Sequence, residues 1–283
     1  MATIEKYLCA MKTKGFGLFL VVFFAFNSVQ AHVHLFADST EWDISDSLLF
    51  LPAYDDYCHW DQDQIWGKRE DFSTFNDTLS LRLILDSCQF VSPYVGRVSS
   101  AYGWRHHRPH YGVDIKLQSG DPVKSMFEGV VRISRYSSSY GNVVVIRHQN
   151  GLETLYAHLS ELLVEEGEVV DVGMLVGFGG NTGRSTGSHL HFEVRYLGEP
   201  LDPSHLFDID DDLFELKSEQ VELTAAAFAL SIEAKKQRFH RVRRGESLWS
   251  LSRKYRVSIR KLCAMNGISR SSTLKIGQSI RYR

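Results

Sequence analysis

The chain has 283 residues, of which 43% are hydrophobic and 23% charged, with a formal net charge of −2. That length holds about two domains with real cores, and the composition is that of a globular protein, which excludes a collagen-like or wholly disordered chain. The net charge excludes no class of partner, because it averages strongly unlike segments.

Residues 1–31 read as a signal peptide. Lys12 and Lys14 form a basic start, Gly15 to Phe26 a short apolar run, and Val29 and Ala31 place small residues at −3 and −1 of a cleavage site. The run is shorter than the roughly 20 apolar residues of a transmembrane helix, and no later stretch is apolar enough to span. The expectation is an exported protein of the periplasm, cell envelope or exterior, with no transmembrane span after cleavage. Export permits disulfides, and Cys58 with Cys88 is a candidate pair. Cys263 lies in an apolar helical pattern and reads as a buried free thiol. No cysteine spacing suggests a zinc site.

Residues 32–93 form an acidic leader that includes Asp55, Asp56, Asp61, Asp63, Glu70 and Asp71, interleaved with Trp42, Trp60 and Trp66. Poor periodicity predicts loops and short strands, either packed on the following domain or covering its groove. His32 and His34 read as a flexible end.

Residues 94–207 are β in pattern. Gly129-Val130-Val131-Arg132-Ile133 and Asn142-Val143-Val144-Val145-Ile146 are β-branched runs. Gly120, Gly141, Gly167 and Gly173 punctuate them, and Asn150-Gly151 is a hairpin signal. Residues 208–237 read as a linker that opens acidic and becomes helical through Thr224-Ala225-Ala226-Ala227. Residues 238–283 predict a strand at His240–Val242, helices at Ser247–Tyr255 and Ser258–Met265, and a strand at Ser279–Arg281, with Ser247 or Ser258 as a helix cap.

Five residues carry the chemistry: His110 and Asp114 in H-Y-G-V-D, His158 in L-Y-A-H-L-S, and His189 and His191 in G-S-H-L-H-F-E-V. In an extended chain His189 and His191 project to one side, as do His110 and Asp114 if their segment is extended. A hydrolytic zinc centre commonly takes three protein ligands, and a mixed nitrogen and oxygen set suits zinc better than calcium or magnesium. Two imidazoles then remain to handle protons. Glu193 leaves the H-x-H strand on the same side and is a partner for a ligand. His106, His107 and His148 read as surface or packing residues, and Asp202 as a turn residue. Gly179, Gly180, Gly183 and Gly187 are no phosphate loop, since no G-K-[ST] follows.

These motifs occur with S-A-Y-G-W-R at Ser100, S-G-D-P-V at Ser119, Y-G-N-V-V-V-I-R-H at Tyr140 and G-N-T-G-R-S-T-G-S-H-L-H-F-E-V-R at Gly180. Together they resemble the lysostaphin-type zinc endopeptidases of peptidase family M23, over about Ser99 to Pro203. The resemblance implies a two-sheet all-β domain with one Zn2+ per chain on His110, Asp114 and His191, and His158 and His189 as the catalytic pair. Residues 238–283, with R-R-G-E-S-L-W-S-L-S-R-K-Y, L-C-A-M-N-G-I and L-K-I-G-Q-S-I, resemble a LysM module, a small βααβ domain that binds N-acetylated glycans. Its groove would be formed by Gly245, Glu246, Ser247 and Leu248 with Asn266, Gly267 and Ile268. About a dozen Lys and Arg face a single acid there, Glu246. An exported chain without nucleic-acid motifs makes anionic wall polymer the better partner for that charge than nucleic acid.

The expectation is a mainly β, exported zinc endopeptidase that cuts peptide bonds of bacterial peptidoglycan, held on the glycan by its LysM module. The alternative is a non-catalytic wall-binding regulator of other murein hydrolases, disfavoured because all five site positions are intact.

Overall fold

The computed structural model describes residues 53–57, 59–84, 90–105, 108–210 and 213–283. The expected signal peptide, the His32/His34 pair, the Cys58–Cys88 pairing, His106 and His107 lie outside the described residues.

The chain first contributes the strands β1 (Leu79–Arg82), β2 (Val98–Ser100), β3 (Gly103–Arg105), β4 (Arg108–His110), β5 (Val113–Lys116) and β6 (Pro122–Lys124). The long β-branched strands β7 (Gly129–Ser137), β8 (Gly141–Arg147) and β9 (Leu152–Leu159) follow. After them come β10 (Glu161–Leu162), β11 (Val169–Val170), β12 (Leu175–Phe178), β13 (His189–Tyr196) and β14 (Glu199–Leu201). One antiparallel sheet has the order β11-β7-β8-β9-β13-β5-β2, with β14 beside the far end of β13. A second sheet has the order β10-β12-β6, and β3 and β4 form a separate hairpin. Asn150-Gly151 closes the β8–β9 hairpin, with Gly151 at φ 81°, a conformation that glycine adopts without strain.

Strand alternation divides the main sheet into two faces. On one, Val144, Ile146, Leu152, Tyr156, Phe192 and Val194 belong to the principal core. On the other, Val143, Val145, Leu155 and Ala157 pack with Ile133, and that face also carries His191.

The expected linker is β in its first half and helical, as expected, after Thr224. Phe207–Asp210 (β15) and Leu213–Leu216 (β16) pair as a hairpin, and Gln220–Leu223 (β17) pairs with β1 of the leader, Leu81 opposite Val221. The reason is a period-two pattern in F-D-I-D and L-F-E-L, which buries Phe207 and Phe214 in the principal core. The helical stretch begins with a 3-10 turn at Ala225–Phe228, capped by Thr224, and continues as an α-helix over Ala229–Lys236. Phe228 stacks on leader residue Phe72 with centroids 4.1 Å apart. Leader and linker residues therefore share the principal core.

The C-terminal unit has the order β18 (Phe239–Arg241), helix Leu248–Tyr255, helix Ile259–Asn266, β19 (Ser279–Arg281), with the two strands antiparallel. Both serines cap: Ser247 forms a capping box with Ser250, and Ser258 accepts from the Lys261 amide. Val242, Leu251, Leu262, Ile280 and the free Cys263 form its core. Among the described residues no helix is long and apolar enough to cross a membrane.

Candidate metal centre and active site

His110 and Asp114 do not share one extended strand. His110 ends β4 of the small hairpin, the chain turns at Tyr111-Gly112, and Asp114 lies in β5 of the main sheet. Gly112 makes this turn fit: a Cβ there would lie 2.3 Å from the Phe192 carbonyl oxygen and 3.0 Å from His191 Cε1. The hairpin can thus approach β13 closely. Asp114 pairs directly with His191, and His189 sits two residues earlier on the same strand.

Three ligand atoms converge. His110 Nε2 lies 3.1 Å from Asp114 Oδ1 and 3.1 Å from His191 Nδ1, and His191 Nδ1 lies 2.9 Å from Asp114 Oδ1. All three residues are buried. Their outer hydrogen bonds set the tautomers. His110 Nδ1–H donates to the Ala101 carbonyl at 2.8 Å, and His191 Nε2–H donates to Glu193 Oε1 at 2.9 Å. Both inward nitrogens therefore present lone pairs toward each other and toward a carboxylate. Such a cluster of acceptors needs a positive charge beside it, which a bound cation, a proton on His191 Nδ1 or the neighbouring Arg105 guanidinium can supply. Burial alone would lower the His191 imidazole, but hydrogen bonds to Asp114 and Glu193 outweigh it and raise it to about 9. Burial would raise the Asp114 carboxyl, yet the same imidazoles hold it far below the usual carboxylate range. The donor set of two imidazole nitrogens and one carboxylate fits zinc.

His158 reaches this centre by a backbone irregularity. Ala157 is opposite His191 and shares its face, so strict alternation would send His158 into the core. The β8–β9 register slips between Asn142 and Val144, and His158 takes up the slip at φ 63°. A bulge of this kind re-aims a side chain. The His158 ring then lies 4.8 Å from the His189 ring and 5.9 Å from the His191 ring. Its Nδ1–H donates to the Thr182 carbonyl at 2.7 Å. His189 Nδ1–H donates likewise to the Gly187 carbonyl at 2.8 Å, and its Nε2 lies 3.6 Å from Asp114 Oδ1. In both histidines the Nδ1–H is taken by a carbonyl, which leaves the lone pair on Nε2. Burial pushes His158 down to about 4, so it is neutral at pH 7.

Two functional neighbours escaped the sequence reading as individual residues, although both lie in the blocks quoted above. Arg105, half exposed on β3, donates to Asp114 Oδ2 and approaches His110 Nε2 at 3.0 Å. Tyr140 donates to Glu193 Oε1 at 2.9 Å, alongside His191. Glu193, singled out by parity, is fully buried and does not join the convergent atoms; burial opposes its ionisation, but Arg195 and His191 hold it at about 2. His148 is buried and bonded to the Glu128 carbonyl and Thr154 Oγ1. Asp202 caps the 3-10 turn Pro203–His205.

In the C-terminal unit, Glu246, Ser247 and Leu248 line a cleft of about 450 Å³ together with Trp249, Ile259, Arg270 and Thr273. Gly245 precedes them in the turn at φ 83°. Asn266, Gly267 and Ile268 are not in that lining. Asn266 instead ties the fold together, donating to the Leu262 and Arg281 carbonyls and accepting from the Arg281 amide. Gly267 ends the helix at φ 60° and Ile268 packs on the small core. Glu246 accepts from His240 and the Arg243 amide, which hold its carboxyl at about 2.

Comparison with known proteins found matches to two families. A model of peptidase family M23 matches residues 108–203 and a model of the LysM domain matches residues 240–282. The DD-carboxypeptidase/endopeptidase Mpg of Neisseria meningitidis serogroup B is 47% identical over 113 residues, 38% of this chain and 26% of that protein. The peptidoglycan DD-endopeptidase ShyA of Vibrio cholerae is 45% identical over 93 residues, 33% of this chain and 22% of that protein. The chain thus spans about a quarter of the length of these curated relatives. A crystal structure of a zinc containing peptidase from Vibrio cholerae is 33% identical over 40% of this chain and 39% of that one, with a TM-score of 0.37. This chain therefore carries a peptidase family M23 domain, over the stretch that contains His110, Asp114, His158, His189 and His191, followed by a LysM domain.

Proposed function

We propose that the protein is an exported, zinc-dependent endopeptidase that hydrolyses peptide bonds of bacterial peptidoglycan, with its LysM domain holding it on the glycan. The observation that carries this reading is the convergence of His110 Nε2, Asp114 Oδ1 and His191 Nδ1, flanked by two histidines with free Nε2 lone pairs. The names of the relatives, which specify DD-endopeptidases, support a cross-link between peptide stems as the bond cut. Peptidoglycan lies outside the cytoplasmic membrane, so the substrate itself requires the export expected from residues 1–31.

His110, Asp114 and His191 would hold the metal. Zinc bound there supplies Lewis acidity toward an amide carbonyl and toward water. The protein's own groups move the protons. His189, on the strand of the ligand His191, accepts the proton of the attacking water at Nε2, and its Nδ1–H bond to Gly187 keeps that nitrogen free. His158, neutral and fixed by Thr182, accepts a hydrogen bond from the reacting water at Nε2 and orients it, and the proton taken up by His189 passes on to the leaving amine. Glu193 and the Ala101 carbonyl keep the ligand imidazoles in their metal-binding tautomers.

The LysM cleft offers an exposed Trp249 ring beside polar Ser247 and Thr273, a surface suited to an N-acetylated sugar. Binding there raises the local concentration of peptide at the metal centre, so a weak module contributes strongly. The test is digestion of purified peptidoglycan with and without a chelator, with fragments read by mass spectrometry. Chelator-sensitive release of cross-link fragments is the expected result; intact peptidoglycan after incubation with zinc-loaded protein would refute the reading.

A further inference from the structure

The face of the main sheet that carries the metal centre continues away from it as a layer of buried charge. Arg132, Arg147, Arg195, Glu153 and Glu193 are all essentially inaccessible there. Charges at that depth require partners for every donor, and the leader supplies them. Arg132 donates to Glu153 and to the carbonyls of Asp61, Gln64 and Ile65 at 2.7–2.9 Å. Arg147 donates to Glu153 and to the His59 carbonyl, with its guanidinium against the rings of Tyr57 and Trp60. This segment lies outside the region matched by the family model, which begins at residue 108.

One of these contacts leads to the metal centre. Arg195 uses Nε and Nη2 on Glu193 Oε2, at 2.9 and 2.7 Å, and Nη1 on the Ile65 carbonyl at 2.7 Å. The Trp66 ring covers its guanidinium, 4.0 Å from ring centroid to Cζ. The other carboxylate oxygen of Glu193 accepts the Nε2–H of His191. Trp66 also packs edge-on against Tyr111, beside ligand His110, and against Tyr140, which donates to Glu193. Three of its neighbours are thus one step from a ligand or from the ligand's partner.

We propose that Trp66 and the Ile65 carbonyl are positioning groups of the metal centre, acting on ligand His191 through Arg195 and Glu193, so that this part of the leader is a built-in component of the centre. The inference rests on the metal reading of His110, Asp114 and His191. Trp66 shields the guanidinium from water, so that its partners are Glu193, the Ile65 carbonyl and, more distantly, the Tyr140 hydroxyl at 3.5 Å, which itself donates to Glu193. The guanidinium in turn holds the Glu193 carboxylate in the one orientation that accepts from His191 Nε2 and leaves Nδ1 for the metal. Outer partners of this kind are worth about 10- to 100-fold in metal affinity.

The experiment measures zinc affinity of the full chain by competition with a chromogenic chelator, together with the thermal midpoint of each protein. Trp66→Ala is expected to weaken zinc binding about ten-fold or more, and Trp66→Phe, which keeps an aromatic face over Arg195, to stay within about two-fold. Trp66→Leu fills most of the volume without that face and is expected to lose affinity several-fold even if Trp66→Ala does not fold. Trp60→Ala is the control, since it uncovers Arg147, which has no bond to Glu193. It should lower the thermal midpoint yet keep the parent's zinc affinity. Equal affinity for parent, Trp66→Ala and Trp66→Leu would overturn the proposal, as would an equal loss in Trp60→Ala, which would mark general destabilisation. A parent chain that binds no zinc would remove the metal reading itself, and the inference with it.

Discussion

His158 donates its Nδ1–H to the Thr182 carbonyl at 2.7 Å from a backbone held at φ 63°. A non-glycine residue in this region costs on the order of 1 kcal/mol or more. The fold maintains it because the bulge turns His158 from the core toward the metal centre. His158→Ala is expected to leave zinc stoichiometry unchanged and to lower turnover by about two orders of magnitude or more. Zinc content by atomic absorption and peptidoglycan digestion rates check the two halves separately. A variant with parental turnover would remove His158 from the catalytic pair.

His191→Ala takes away the ligand nitrogen that stands 2.9 Å from Asp114 Oδ1. Zinc binding and hydrolysis should both disappear, while binding to insoluble peptidoglycan through the LysM domain persists. Pull-down with peptidoglycan sacculi tests the second point. Loss of sacculus binding in this variant would show that the M23 domain, not LysM, carries the attachment.

Gly112→Ala would place a Cβ 2.3 Å from the Phe192 carbonyl oxygen, a backbone atom that cannot rotate away. The β3–β4 hairpin must then withdraw and carry His110 with it. A stability loss of about 1–3 kcal/mol is expected, together with a zinc affinity lowered at least ten-fold. Denaturant unfolding and chelator competition measure these. Zinc binding at parental strength would mean that His110 does not depend on this close approach.

His148 has its pKa lowered from 6.5 to about 4, mainly by burial. The unfolded chain therefore binds the extra proton first as pH falls. The stability associated with neutral His148 is complete above about pH 6.5 and is lost as pH drops through about 4. The full amount is on the order of 3 kcal/mol. Unfolding free energies at pH 7, 5.5 and 4.5 should fall in that order for the parent chain, and less steeply for His148→Gln. Identical slopes would show that His148 is protonated alike in both states.

Leader and linker share one core, since Leu81 lies opposite Val221 and Phe72 stacks on Phe228. Phe72→Ala is expected to cost about 3–5 kcal/mol. Removal of residues before Tyr94 should yield a destabilised, poorly soluble chain with no gain in activity. A truncated protein that is well folded and faster on peptidoglycan would contradict this packing.

The sequence by itself determined the residue types of the centre, the βααβ order of the C-terminal unit and the strands of the main sheet. Those features are local: β-branched runs, Asn150-Gly151, two serine caps, and His189 and His191 two apart on one strand. The period-two pattern of F-D-I-D and L-F-E-L was also written locally, but the acidic residues between made the segment read as a linker. Only the tertiary structure decided how His158 faces the metal, because its direction depends on a register slip between two strands rather than on its own neighbours. The same holds for His110, which reaches Asp114 from another sheet across Gly112, and for the cleft of the LysM domain, where Asn266 is consumed by backbone hydrogen bonds. The partnership of Trp66 and Ile65 with Arg195 is the extreme case. Residues 130 positions apart in sequence meet because a buried guanidinium must have every donor met, and only the folded chain determines which carbonyl comes within reach.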